Sequence, residues 1–142
     1  MPERVVIHQK SNFETHVQSR DPLMLESAEL HAVKHIADLT PYGMLLSSLG
    51  SCTATVVHTY AQYHGLKLDE VELTIEYHRT FKEDCADCEK IDEYNEQITM
   101  GMSFLGDLSP QDREKLFKVS KQCPIHKMLK RGITVKSEVT NA

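Results

Sequence analysis

The chain changes its hydrophobic period from helical to two-residue and back again, which predicts an α+β fold, and three segments carry that prediction. Leu45, Leu49, Cys52, Val56, Tyr60 and Tyr63 recur at steps of four and three, the spacing of one helix face. From Glu70 the period becomes two. Val71, Leu73, Ile75, Tyr77 and Phe81 fall on one face of a strand, and Glu70, Glu72, Thr74, Glu76 and His78 on the other. The alternation resumes with Tyr94, Ile98, Met100, Met102 and Phe104, so the two half-buried strands should pair as an antiparallel hairpin. Helix-start signals return at Ser109.

Taken in order, the first forty residues hold short β-type stretches, Val5-Val6-Ile7 and Leu23-Met24-Leu25, separated by polar turns and Pro22. Thr40 and Pro41 read as an N-cap and first-turn proline, and the helix they open should end near Gly65. Between Leu39 and Leu66 there is no Asp, Glu, Lys or Arg. The run also contains Ser47, Ser48, Ser51, Thr53, Thr55, His58, Gln62 and His64, too many polar side chains for lipid. A helix buried inside protein follows, and its small residues, such as Gly50 and Ala54, let other backbones approach closely. Ser109, Pro110 and Asp112 supply the cap, first-position proline and N-terminal acid of a second helix, expected to run to about Gln122. Pro124 restarts a short helix, Gly132 ends it, and Ile133, Val135 and Val139 alternate as a last strand.

A length of 142 residues with 40% apolar content fits a single domain spanning 1–142, with a thin core for a monomer. Sixteen Lys and Arg stand against 21 acids, a net charge of −5 with both signs scattered, which argues against a nucleic-acid partner. The N-terminus has neither the apolar core of a signal peptide nor the Arg/Ser-rich character of a transit peptide, so a cytoplasmic protein is expected, with no membrane partner. Four cysteines in a reducing compartment point to catalysis, metal binding or inert burial rather than to a disulfide framework.

Cys52 lies mid-helix, where it reads equally well as a small buried hydrophobe or as a reactive thiol. It stands about three turns from the N-terminus, beyond reach of the helix dipole, so a reactive Cys52 needs a nearby cation. Cys123 precedes Pro124 at the mouth of a helix, where free N–H groups favour thiolate. Cys85 and Cys88 have the Cys-x-x-Cys spacing of half a zinc site. Their acidic loop offers no two further ligands, although His78 and His64 are candidates, so no metal and no cofactor are expected. His126 follows Cys123 by three residues and could form a Cys/His pair, but no orienting third group is readable, and a structural histidine is the plainer expectation. His58 and His64 read as packing residues with satisfied nitrogens.

The segment Thr40-Pro41-Tyr42 through Leu49-Gly50-Ser51-Cys52-Thr53-Ala54, followed by Tyr60-Ala61, closely resembles the first cysteine motif of the OsmC/Ohr family. The segment Leu105-Gly106-Asp107-Leu108-Ser109 through Arg113 to Cys123-Pro124-Ile125-His126 resembles the second, and the match covers roughly residues 40 to 139. The resemblance implies an intertwined homodimer in which central cysteine-bearing helices are wrapped by antiparallel sheets. It further implies a thiol-dependent peroxidase. Cys52 would attack an organic hydroperoxide and become a sulfenic acid, Cys123 would capture it as a disulfide, and an external thiol reductant would reset the pair. Family members of this type hold the thiolate with an arginine, for which Arg20 is the best-placed candidate, with Arg4 and Arg79 as alternates. They orient that arginine with a glutamate just after the helix-opening proline. Tyr42 and Gly43 stand there in this chain, and Asp38 is a nearby acid that could substitute. The alternative reading is a catalytically weak dimer that holds an apolar ligand, or a metal at Cys85 and Cys88.

Overall fold

The computed structural model describes residues 2–20, 29–81 and 94–141. Five strands form one antiparallel sheet in the order β3-β2-β1-β4-β5: β1 Glu3–Lys10, β2 Thr15–Arg20, β3 His31–Ala32, β4 Lys67–Phe81 and β5 Tyr94–Asp107. A 3-10 turn, Ile36–Asp38, leads into the long helix α1, Pro41–Tyr63, and the helices α2, Pro110–Ser120, and α3, Pro124–Arg131, follow the sheet. The chain is thus α+β, as the change of period implies.

The long hairpin forms as expected, with Val71 opposite Phe104, Leu73 opposite Met102, Ile75 opposite Met100 and Tyr77 opposite Ile98. Val71, Leu73 and Ile75 are fully buried, while the acids on the alternate positions line the outer face. β1 pairs with both β2 and β4, so Val5 and Ile7 lie beside Ile75 and Leu73 beneath α1. Leu23-Met24-Leu25 falls outside the described residues, as do Cys85 and Cys88.

α1 starts where its cap predicts, with the Thr40 hydroxyl accepting from the Gly43 N–H. The face it presents to the sheet differs from the expected stripe. Gly43, Leu46, Gly50, Thr53, Ala54, Val57, His58 and Ala61 are buried, and Leu49 of the stripe with them, whereas Leu45, Cys52, Val56 and Tyr60 are only partly buried and Tyr63 is 86% exposed. Small residues explain the choice. A Cβ at Gly50 would lie 2.5 Å from Ile75 Cδ1 and 2.6 Å from Ile7 Cγ1, so the bare glycine lets the helix settle directly onto β1 and β4. Polar contacts fix the position along the sheet: Gln9 Nε2 donates to Thr55 Oγ1 at 3.1 Å, and the His58 Nε2–H donates to the Gln9 carbonyl at 2.8 Å. His58 Nδ1 is buried without a partner, so only one of its nitrogens is satisfied. His64 is exposed and packs on the rings of Tyr60 and Tyr63.

α2 carries the expected cap as a full capping box between Ser109 and Asp112. α3 ends at Gly132, whose φ of 80° suits glycine. The last strand is a correction. Residues 132–139 form no strand, and Ile133, Val135 and Val139 are 67%, 79% and 73% exposed. An alternating sequence becomes a strand only where an edge pairs with it, and among the described residues no strand does so.

Candidate active site

The half-exposed face of α1 turns toward α2 and α3, and Cys52 sits on it. α3 opens at Cys123, a fully buried N-cap residue held there because Pro124 has no N–H to lose at the first helical position. This brings the two thiols close enough for Cys123 to act on Cys52, and the Ile125 backbone N–H acts on it as well. Both are free thiols, Cys52 partly exposed and Cys123 buried. Burial pushes the Cys52 thiol above its ordinary pKa, and the contact with Cys123 pushes it further, while the Ile125 N–H opposes both.

One helical turn from each cysteine lies a cavity of about 470 Å³, which neither thiol lines. From α1 it takes Leu49 and Leu45, one and two turns before Cys52, and from α3 it takes His126 and Leu129, one and two turns after Cys123. Ile98 and Met100 of β5 complete an apolar wall. The rim is polar. The Tyr77 hydroxyl donates to Glu96 Oε2 at 2.6 Å, and Arg79 donates to the hydroxyls of Tyr42 at 2.8 Å and Tyr77 at 3.2 Å. Desolvation by burial and the Glu96 carboxylate push the Tyr77 pKa up to about 12, against the opposing pull of Arg79.

Arg20 is placed elsewhere. It pairs opposite Arg4, which in turn lies opposite Glu76, on the sheet face away from α1, and its guanidinium donates to the Pro2 carbonyl at 3.3 Å. No arginine is among the groups acting on Cys52. Arg4 is held by Glu76 at 2.7 Å, and Arg79 by the rim tyrosines. Asp38 does not take the place of the helix glutamate, because its carboxylate accepts from the Lys34 and His35 N–H groups at 3.2 and 3.1 Å. The carboxylate at the head of α1 comes from the first strand. Glu3, 6% exposed, accepts from the Thr40 hydroxyl, and its Oε1 lies 3.0 Å from where a Cβ on Gly43 would be. The sequence held one sign of this: Glu3 shares the two-residue alternation of Val5 and Ile7, which puts a lone acid on the apolar face of β1.

The model of the OsmC-like protein family matches residues 34–138, which include both cysteines and the elements that bring them together. This chain belongs to the OsmC-like family. Solved OsmC-like structures share its fold. An OsmC-like hydroperoxide resistance protein from Jannaschia sp. CCS1 aligns with a TM-score of 0.65 at 12% identity, over 99% of this chain and 96% of that one. An organic hydroperoxide resistance protein OsmC from Legionella pneumophila aligns with a TM-score of 0.52 at 14% identity, over 87% of this chain and 88% of that one. No curated protein sequence matches the chain. Among the described residues, no helix of this OsmC-like chain is long and apolar enough to cross a membrane, and no group of three or more His, Cys, Asp or Glu could hold a metal.

Proposed function

We propose that the protein is a cytoplasmic thiol peroxidase that reduces organic hydroperoxides through a Cys52/Cys123 cycle. The observation that carries this reading is the approach of two thiols from separate helices, one turn from the lining of a largely apolar cavity of about 470 Å³. The Cys52 thiolate attacks the terminal oxygen of RO–OH, the O–O bond breaks, and the products are Cys52 sulfenic acid and ROH. Cys123 then attacks the oxidised sulfur, the oxygen leaves as water, and the disulfide that forms is reduced by an external thiol. A wall of Leu45, Leu49, Ile98 and Met100 favours an alkyl chain over a small polar peroxide. The names of the two structural neighbours, both hydroperoxide resistance proteins, agree with this substrate class.

The same reading makes the protein a homodimer. Tyr63, Ile133, Val135 and Val139 are large apolar side chains left 67–86% exposed, and a second chain would cover them. It also assigns Arg20 the role of thiolate stabiliser on family grounds, which requires its guanidinium to leave the Pro2 carbonyl. Arg20→Ala should therefore slow sulfenate formation while leaving disulfide closure intact.

The deciding experiment is mass spectrometry of the reduced protein after one equivalent of cumene hydroperoxide. A Cys52–Cys123 linked peptide, with one cumyl alcohol released per disulfide, is the expected result. Intact peroxide beside two free thiols would refute the enzyme and favour a dimeric module that binds an apolar ligand in the same cavity.

A further inference from the structure

His126 is placed where a peroxide would meet it. It stands one turn after Cys123 on α3 and so shares that helix face, and it lines the cavity together with Leu49, which stands one turn from Cys52. Its Nδ1 is buried and has no hydrogen-bond partner among the described residues. Nδ1 is shut off from solvent, so it is the other edge of the ring that the cavity reaches.

The chemistry also has a vacancy for it. When a thiolate attacks RO–OH the other fragment leaves as RO⁻, a strong base that must be protonated as the O–O bond breaks. Of the groups that act on Cys52, the Ile125 peptide N–H is no acid, and the Cys123 thiol is the one competing donor, which the test below separates from His126. Imidazole is the side chain that most readily exchanges protons near neutral pH.

We infer that His126 is a further catalytic residue, the proton donor to the departing alkoxide, an assignment that rests on Cys52 being the attacking thiol. In this step the S–O bond forms and the O–O bond breaks. Sulfur is oxidised by two electrons, and the imidazolium passes its proton to RO⁻ to give ROH. The proton is the one the Cys52 thiol released on ionising, so the step consumes none overall.

The test compares two oxidants whose leaving groups differ in basicity. Single-turnover oxidation of Cys52 is followed in the reduced wild type and in His126→Gln, with cumene hydroperoxide and with a perbenzoic acid, whose carboxylate leaving group needs no proton. The cumene hydroperoxide rate should fall by about 10²-fold and the peracid rate by less than about 3-fold. Free imidazole added to His126→Ala should recover part of the cumene hydroperoxide rate. Equal loss with both oxidants and no rescue, or no loss with either, would overturn the assignment. If His126→Gln does not fold, His126→Asn serves in its place under the same criteria. A wild-type protein that neither oxidant converts at Cys52 would overturn the peroxidase reading itself, and that result appears before any substitution at 126.

Discussion

Gly50→Ala tests whether the close seating of α1 on the sheet sets the geometry of the thiol pair. The added Cβ would meet Ile75 Cδ1 at 2.5 Å and Ile7 Cγ1 at 2.6 Å, where relaxed carbon contacts need about 3.5–4.0 Å, so helix and sheet must part by roughly 1 Å or both isoleucines must leave their rotamers. Both are fully buried, which leaves them little room to move. Overpacking of this kind costs about 1–3 kcal/mol, and this site belongs at the upper end. Alanine's better helix propensity returns about 1 kcal/mol, so the net loss should be about 2 kcal/mol. For a chain of this size that is a fall in Tm of roughly 6–8 °C, readable by circular dichroism. Gly101→Ala is the matched control, because its nearest neighbour, the Thr74 carbonyl oxygen, lies 4.0 Å away. Gly50 is two residues from Cys52, so lifting the helix should also slow Cys52–Cys123 disulfide formation. If Gly50→Ala melts with Gly101→Ala and closes its disulfide at the wild-type rate, the tight seating is irrelevant and the reasoning fails.

Three further outcomes follow from the site. Cys52→Ser should abolish peroxide turnover, whereas Cys123→Ser should complete one oxidation and stop at a sulfenic acid that dimedone traps and excess peroxide drives to sulfinic acid; wild-type turnover by Cys52→Ser would refute the assignment of roles. Removing Cys123 takes away part of what raises the Cys52 pKa, so in Cys123→Ala the pH profile of Cys52 alkylation by iodoacetamide should move to lower pH, and an unchanged profile would show the contact to be inert. Tyr77, raised from 10.0 to about 12, holds more proton in the folded than in the unfolded state at alkaline pH. Its stabilising contribution is therefore complete below pH 10.0 and lost as the pH rises toward about 12. Ultraviolet titration should show a late tyrosine component that Tyr77→Phe removes, and its persistence in that variant would contradict the role of burial and Glu96.

The elements themselves were legible because their signals are local. The two-residue alternation of β4 and β5, Thr40 and Pro41 at the head of α1, and the Ser109/Asp112 box each state a structure within a few residues. The orientation of α1 was not legible. Nearly every residue from Gly43 to Ala61 is apolar or small, so the periodicity found a stripe but could not tell the sheet-facing side from the side bearing Cys52; close approach of backbones chose Gly50, Thr53 and Ala54 over the bulkier Val56 and Tyr60. The contact of Cys52 with Cys123 came from the family resemblance, since nothing local links a mid-helix thiol to a helix mouth 71 positions away. The resemblance could not supply Glu3, whose role depends on β1 passing under the head of α1. Nor could alternation at Ile133, Val135 and Val139 make a strand without a pairing edge.

The carboxylate that Glu3 inserts beneath Gly43 ties the histories of two distant positions together. With Oε1 only 3.0 Å from the missing Cβ, a side chain at 43 and an acid at 3 compete for one volume, and two acids there would also bury like charges side by side. Oε1 is the tip of a flexible side chain, so alanine at 43 asks it to give by a few tenths of an ångström, whereas a longer side chain has to displace it. The two positions are coupled. An acid at 43 should therefore be better tolerated when position 3 is alanine than when it is glutamate, a non-additivity that a double-mutant cycle reads.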